Sequence, residues 1–233
     1  MTRTFRLVAL TAGLSTPSST RMLTYQLPRE SAAALSRDGS QVEVTTVELR
    51  EYAHDITDAL LTRFPSEKLA MVIEQVRAAD AIIAVTPVFN VGPSGLFKTF
   101  FDAVDMELWK NKPVLLGATA GTARHSLAID YAIRPMFSYL KSEVVSTAVF
   151  AASSDFVADT EGQADGQPLT VRVRRAAAEL ATLLQAGLGD AAADADGAAA
   201  TAGAEPAPAR GARSTLDAEF ADFVPMDRLL GRD

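Results

Sequence analysis

The stretch "AIIAVTPVFNVGPSGLFKTFFD", residues 81–102, decides the fold. Ala81 to Val85 form a continuous apolar run, as expected of a strand buried on both faces. The run stops at Thr86-Pro87. A loop follows in which Pro87 and Pro93 fix φ and Gly92 permits close approach of another group. It holds Asn90, one of only two asparagines in the chain. Ser94 or Gly92 can cap the next helix, where Leu96, Phe97, Phe100, Phe101 and Val104 recur at helical spacing and read as core.

The same alternation recurs on both sides of this stretch. Further strands are expected at Arg6–Leu10, Gln41–Val47, Lys112–Gly117 and Glu143–Val149. Helices are expected at about 19–37, 65–79, 124–140 and 168–186, and from the opening loop to about Asp105. Residues 50–66 read as irregular. Five strands alternating with helices imply an α/β fold, a parallel sheet covered by helices on both faces. This domain is expected to span residues 1–188. Residues 189–213 hold mostly Ala, Gly, Asp and Pro, with no Leu, Ile, Val, Met or aromatic residue. Such a segment cannot offset its ordering entropy by burial and reads as a disordered linker. Residues 214–233 are apolar again, with Phe220, Phe223, Val224, Met226, Leu229 and Leu230, and read as a docking tail.

Composition narrows the function. The 233 residues carry a net charge of −7 and show no basic run, which argues against nucleic acid as a partner. There is no cysteine, so disulfides, zinc ribbons and thiol chemistry are excluded. No apolar stretch reaches the ~20 residues of a membrane helix. No signal-peptide layout precedes the first strand, so a cytoplasmic protein without membrane contact is the default expectation. His54 and His125 lie far apart, and no carboxylates stand at metal-ligand spacing. There is no GxSxG elbow.

In an open α/β sheet, ligands bind beyond the carboxyl ends of the strands. Three loops fall there. Thr11–Thr20 is rich in Ser and Thr and opens a helix, a combination that suits a phosphate, although a capped polar turn is the competing reading. It is neither a GxGxxG nor a GxxxxGK[ST] pattern, which disfavours the dinucleotide fold and the P-loop enzymes. The loop at 86–94 suits a flat ring with heteroatoms on its edge. The alternative for Asn90 is a turn residue in left-handed geometry. Gly117–His125 is built of small residues that let a planar ligand lie against the backbone, and an ordinary glycine-containing loop is its alternative. Ligand-type loops without a nucleophile or metal point to a cofactor that carries the chemistry.

With those residues in view, "TPVFNVGPSGLFKTFFD" resembles the T-P-x-Y/F-x-x-x-x-S-G-x-L/F-K-x-x-x-D segment of the flavodoxin-like NAD(P)H-dependent FMN reductases. "GATAGTARHSLAIDYAIRPMFSYLKSEVV" resembles their A-T-G-G-T/S loop and following helix, and "AGLSTPSSTRML" lies where they keep a phosphate loop. The chain most resembles the actinobacterial-type reductases that pair with luciferase-like flavin monooxygenases. The resemblance implies strand order 2-1-3-4-5, with FMN and NAD(P)H as cofactor and substrate. Ser15, Pro17, Ser18, Ser19 and Thr20 would hold the FMN phosphate. Pro87, Val88, Phe89 and Asn90 would lie along the isoalloxazine. Thr119, Ala120, Gly121 and Thr122 would flank its other side, with His125 and Arg124 near the nicotinamide approach. Many relatives carry an arginine where Ser15 stands, and Arg21 is a possible substitute. In relatives that treat FMN as a substrate, a tyrosine matching Tyr131 accompanies a π-bulge at a subunit interface.

The expected activity is therefore hydride transfer from nicotinamide to FMN, with no side-chain acid or base required. The expected partners are a flavin-dependent monooxygenase and further copies of the chain, as a homodimer or homotetramer. The rival readings are a quinone, azo or chromate reductase with resident FMN, a flavodoxin-type electron carrier, and a flavodoxin-like domain without a working site.

Overall fold

The computed structural model describes residues 3–156 and 167–187. The expected linker at 189–213 and tail at 214–233 lie outside them. Strand β1 (Thr4–Thr11) pairs in parallel with β2 (Gln41–Glu48) on one side and with β3 (Ala81–Phe89) on the other. Strand β3 pairs in parallel with β5 (Pro113–Ala120), and a two-residue strand β4 (Gly92–Pro93) folds back antiparallel on its end. The far edge is made by β6 (Glu143–Val144) and β7 (Val149–Ala152), both parallel to β5. The order β2-β1-β3-β5-β6 is the expected doubly wound one, with seven strands among the described residues in place of five.

The two extra strands have physical causes. The fifth expected strand is split because its middle takes side-chain partners. Arg134 donates to the carbonyls of Val145 (3.0 Å) and Ser146 (3.1 Å), while Thr147 donates from its amide (2.8 Å) and hydroxyl (2.6 Å) to Glu179. Strand β3 runs past Pro87, whose missing N–H costs little at a strand end, and turns back through Asn90 and Val91.

Helices α1 (Ser19–Leu35) and α6 (Leu169–Gln185) cover one face. The other face carries α2 (Ala53–Thr62), α3 (Glu67–Ala78), α4 (Gly95–Ala103) and α5 (Arg134–Tyr139). Helix α2 occupies part of the segment that the sequence left irregular. It buries only Ile56 and Ala59, and no side chain caps its start. Alternation along β1 divides the core. Phe5, Leu7 and Ala9 pack with Leu23 and Leu27 of α1 and with Val173 and Leu180 of α6. Val8 and Leu10 share the opposite core with Phe97, Phe100, Trp109 and Phe137. Phe97, Phe100 and Phe101 are core, as their spacing predicts, and the rings of Phe101 and Trp109 meet at 4.6 Å between centroids. No helix among the described residues is long and apolar enough to cross a membrane.

Candidate active site

Parallel strands β1, β3 and β5 end on one edge of the sheet, so the three loops meet there. The first loop is shaped by Gly13. A Cβ at that position would lie 2.5 Å from the Ser18 hydroxyl, which turns back over the loop. Ser18 caps α1 by accepting from the Arg21 amide at 3.3 Å. The first amides of a helix have no intrahelical partner, so those of Ser19 and Thr20 present donors and the positive end of the dipole. The Thr20 hydroxyl is buried and meets that of Thr119 at 2.7 Å, joining the first loop to the third.

The second loop is stitched to its helix by Thr86 and Ser94. The Ser94 amide donates to the Thr86 hydroxyl (3.0 Å) and to the Pro87 carbonyl (3.1 Å), and the Ser94 hydroxyl caps α4 by accepting from the Phe97 amide (3.3 Å). Asn90 and Val91 form the hairpin tip with φ of 50° and 66°. Two central residues with positive φ define the turn that suits a two-residue hairpin, which prefers glycine second. Val91 is β-branched and strained there. Val91→Gly is expected to stabilise the chain by up to ~1 kcal/mol, because relief of the strain outweighs glycine's extra freedom when unfolded. Urea unfolding reads this as a higher midpoint at unchanged slope. A lower midpoint would refute the assigned strain.

The third loop follows β5. A Cβ on Gly121 would meet nothing within 4 Å, so the protein's own packing does not require glycine there. Together the loops enclose a cavity of about 330 Å³ lined by Ser15, Ser19, Thr20, Pro87, Val88, Phe89, Thr119, Ala120 and Gly121. That size is within the range of small-molecule pockets. Nine of the expected site residues are thus brought together. Pro17, Ser18, Asn90, Thr122 and His125 stand outside the lining. Ser18 is the cap behind the loop, and Asn90 is an exposed turn residue in left-handed geometry. Thr122 precedes the 3-10 turn Ala123–His125 without capping it.

Leu14 and Ser153 also line the cavity and were not among the expected residues. Ser153 directly follows β7, so its position on the same sheet edge could have been read from the topology. Beyond the third loop, Ile129–Ile133 form a π-helical turn, closed by the Arg134 amide donating to the Ile129 carbonyl. Tyr131 lies in it with 81% of its surface exposed. The helix through Tyr131 is therefore not a regular α-helix, as the resemblance implied.

The parallel sheet and the crevice beyond its carboxyl edge define a flavodoxin-like fold. Residues 5–156 match the model of the family described as NADPH-dependent FMN reductase. The chain is 32% identical over 183 residues to the FMN reductase (NADPH) of Pseudomonas aeruginosa, covering 78% of this chain and 94% of that protein. The figures are the same for the NADH-dependent FMN reductase SfnF of Pseudomonas fluorescens. An oxidoreductase structure from Corynebacterium diphtheriae superposes with a TM-score of 0.72 at 42% identity, covering 79% of this chain and 98% of that one. The apo form of the NADH:FMN oxidoreductase EMOB shares the fold, with a TM-score of 0.62 at 22% identity over 76% of this chain and 89% of that one. The chain belongs to the NADPH-dependent FMN reductase family and is an NAD(P)H:FMN oxidoreductase.

The residues fit FMN. The first amides of α1 and the Ser15 and Ser19 hydroxyls in the cavity lining suit its phosphate. Gly121, with open space at its Cβ position and lining the same cavity as Pro87 and Val88, suits a planar ring. No group of three or more His, Cys, Asp or Glu among the described residues could hold a metal.

Proposed function

We propose that this reductase takes FMN as an exchanging substrate and supplies the reduced flavin to a separate flavin-dependent monooxygenase. The π-helical turn at Ile129–Ile133 carries the proposal. A π-turn spends an extra residue and weakens the hydrogen-bond ladder, so it persists where it serves a site. Here it presents Tyr131, 81% exposed, and Leu127, 61% exposed, lies two residues before the turn. It lies against β4, whose hairpin presents Phe89 and Val91, 47% and 65% exposed. Two exposed aromatic and two exposed aliphatic side chains beside the crevice suit a second copy of the chain, and a homo-oligomer follows.

The FMN, when bound, supplies the hydride acceptor. The chain's residues bind and orient it. The α1 amides with Ser15 and Ser19 would hold the phosphate, and Pro87 to Phe89 with Ala120 and Gly121, which line the same cavity, would hold the ring. Backbone donors in a fixed frame would stabilise charge on the reduced ring. Hydride transfer needs the two rings held together, which is a matter of positioning.

The test follows NAD(P)H oxidation at 340 nm by the full chain, with and without added FMN, after extensive dialysis. Colourless protein whose rate requires added FMN is expected. No flavin-dependent rate with either NADH or NADPH would overturn the activity. Protein that stays yellow through dialysis and turns over without added FMN would overturn the exchanging-substrate reading and favour a resident-flavin quinone, azo or chromate reductase. Running both nucleotides gives the preference.

A further inference from the structure

A phosphate monoester bound at the first loop would carry close to two negative charges. Residues 11–20 offer no charged side chain. Positive charge comes from neighbours. Arg50, just past the end of β2, donates from Nη1 to the Thr16 hydroxyl at 3.0 Å, so its guanidinium touches the loop itself. Its Nε lies 2.9 Å from one oxygen of Glu48, and the Nε of Arg21 lies 3.0 Å from the other. One carboxylate therefore bridges two guanidiniums next to the first loop, and Glu51 is a further acidic neighbour of Arg21.

The two arginines are not equivalent. Arg21 also donates to the Tyr25 hydroxyl at 2.9 Å and lies over that ring at 5.4 Å. Those contacts draw it one turn along α1, away from the loop. The Arg50 side chain is 30% exposed, enough for a ligand oxygen to reach a head group already fixed by Glu48 and Thr16. A planar guanidinium fixed in this way suits bidentate recognition of a phosphate.

We infer that Arg50 is the residue that recognises the flavin phosphate, with Glu48 acting as a built-in competitor that moderates its affinity. The inference rests on the FMN reductase reading. Glu48 has a second effect, because it keeps the guanidinium half-neutralised before the ligand arrives. Binding must share Arg50 with that carboxylate, which suits a flavin that has to leave after each turnover.

The experiment compares FMN with riboflavin, which has the same ring and lacks the phosphate. Dissociation constants are measured by flavin-fluorescence quenching on the full chain. Arg50→Met is expected to weaken FMN about 10-fold or more, as for loss of a charge-assisted contact, and to leave riboflavin within about twofold. Glu48→Gln is expected to tighten FMN and leave riboflavin unchanged. Arg21→Met is expected to cost FMN less than Arg50→Met does. The salt dependence of FMN binding should flatten in Arg50→Met. An unchanged ratio of FMN to riboflavin affinity in Arg50→Met would overturn the inference, whether both constants hold or both rise together. A wild-type chain that binds neither flavin would instead overturn the FMN reductase reading.

Discussion

Gly121→Val is expected to lower kcat/KM for FMN by 100-fold or more while leaving the folded chain as stable as the wild type. A Cβ at Gly121 meets no protein atom within 4 Å, and the backbone there does not need glycine's positive φ. The added Cβ thus meets open space, and a surface change of this kind alters stability by ~0.5 kcal/mol at most. Gly121 lines the same cavity as Pro87 and Val88. Two added methyl groups would displace a ring that has to lie flat, and misplacement by about 1 Å can cost ~10²-fold in rate. Thermal unfolding and steady-state kinetics on one preparation separate the two effects. Gly13 provides the contrast. Its Cβ would strike the Ser18 hydroxyl at 2.5 Å, so a substitution there disturbs the loop itself. If Gly121→Val retains wild-type kcat/KM, the ring does not pass Gly121, and the three-loop site has to be redrawn.

Much of this site was legible because its parts are local patterns. The apolar run at 81–85, the rigid loop and the Phe spacing of α4 fix strand, turn and helix within one short stretch. The rule that ligands sit beyond carboxyl ends then selects three loops without knowledge of any contact. What stayed hidden depends on partners far apart in sequence. The Thr20–Thr119 hydroxyl pair spans 99 positions. The break in the fifth strand depends on Arg134 and Glu179 reaching its backbone. Arg50 could not be linked to the first loop before β2 was placed beside β1. Helix α2 lacked a capping signal and ends at Arg63 with a φ of 66°, where a sequence reader would look for glycine.

Lys112 is the most consequential of these hidden partners. In the sequence it reads as the polar first residue of a strand. In the structure it is 6% exposed, and its Nζ donates to the carbonyls of Val76, Arg77 and Ala79, each at 2.9 Å. Those carbonyls lie at the end of α3, where a cation is favoured by the dipole, and that of Val76 also accepts from the Ala79 amide at 3.4 Å. Lys112→Met keeps the length of the side chain and removes all three bonds. It is expected to destabilise the chain by about 3 kcal/mol, because carbonyls at the helix end lose their charged donor. Burial pulls the Lys112 pKa down to about 8, with Asp80 opposing and Arg77 adding to the shift. A free lysine titrates near ~10.4, so between the two values the unfolded chain binds more protons than the folded one. Stability linked to this group therefore rises with pH from about 8 to ~10.4, and the linkage disappears in Lys112→Met. Urea unfolding at pH 7, 9 and 10 should show the gap between wild type and variant widening with pH. A gap that narrows would mean that the three carbonyls hold the ammonium form more strongly than burial opposes it, and would reverse the assigned direction of the shift.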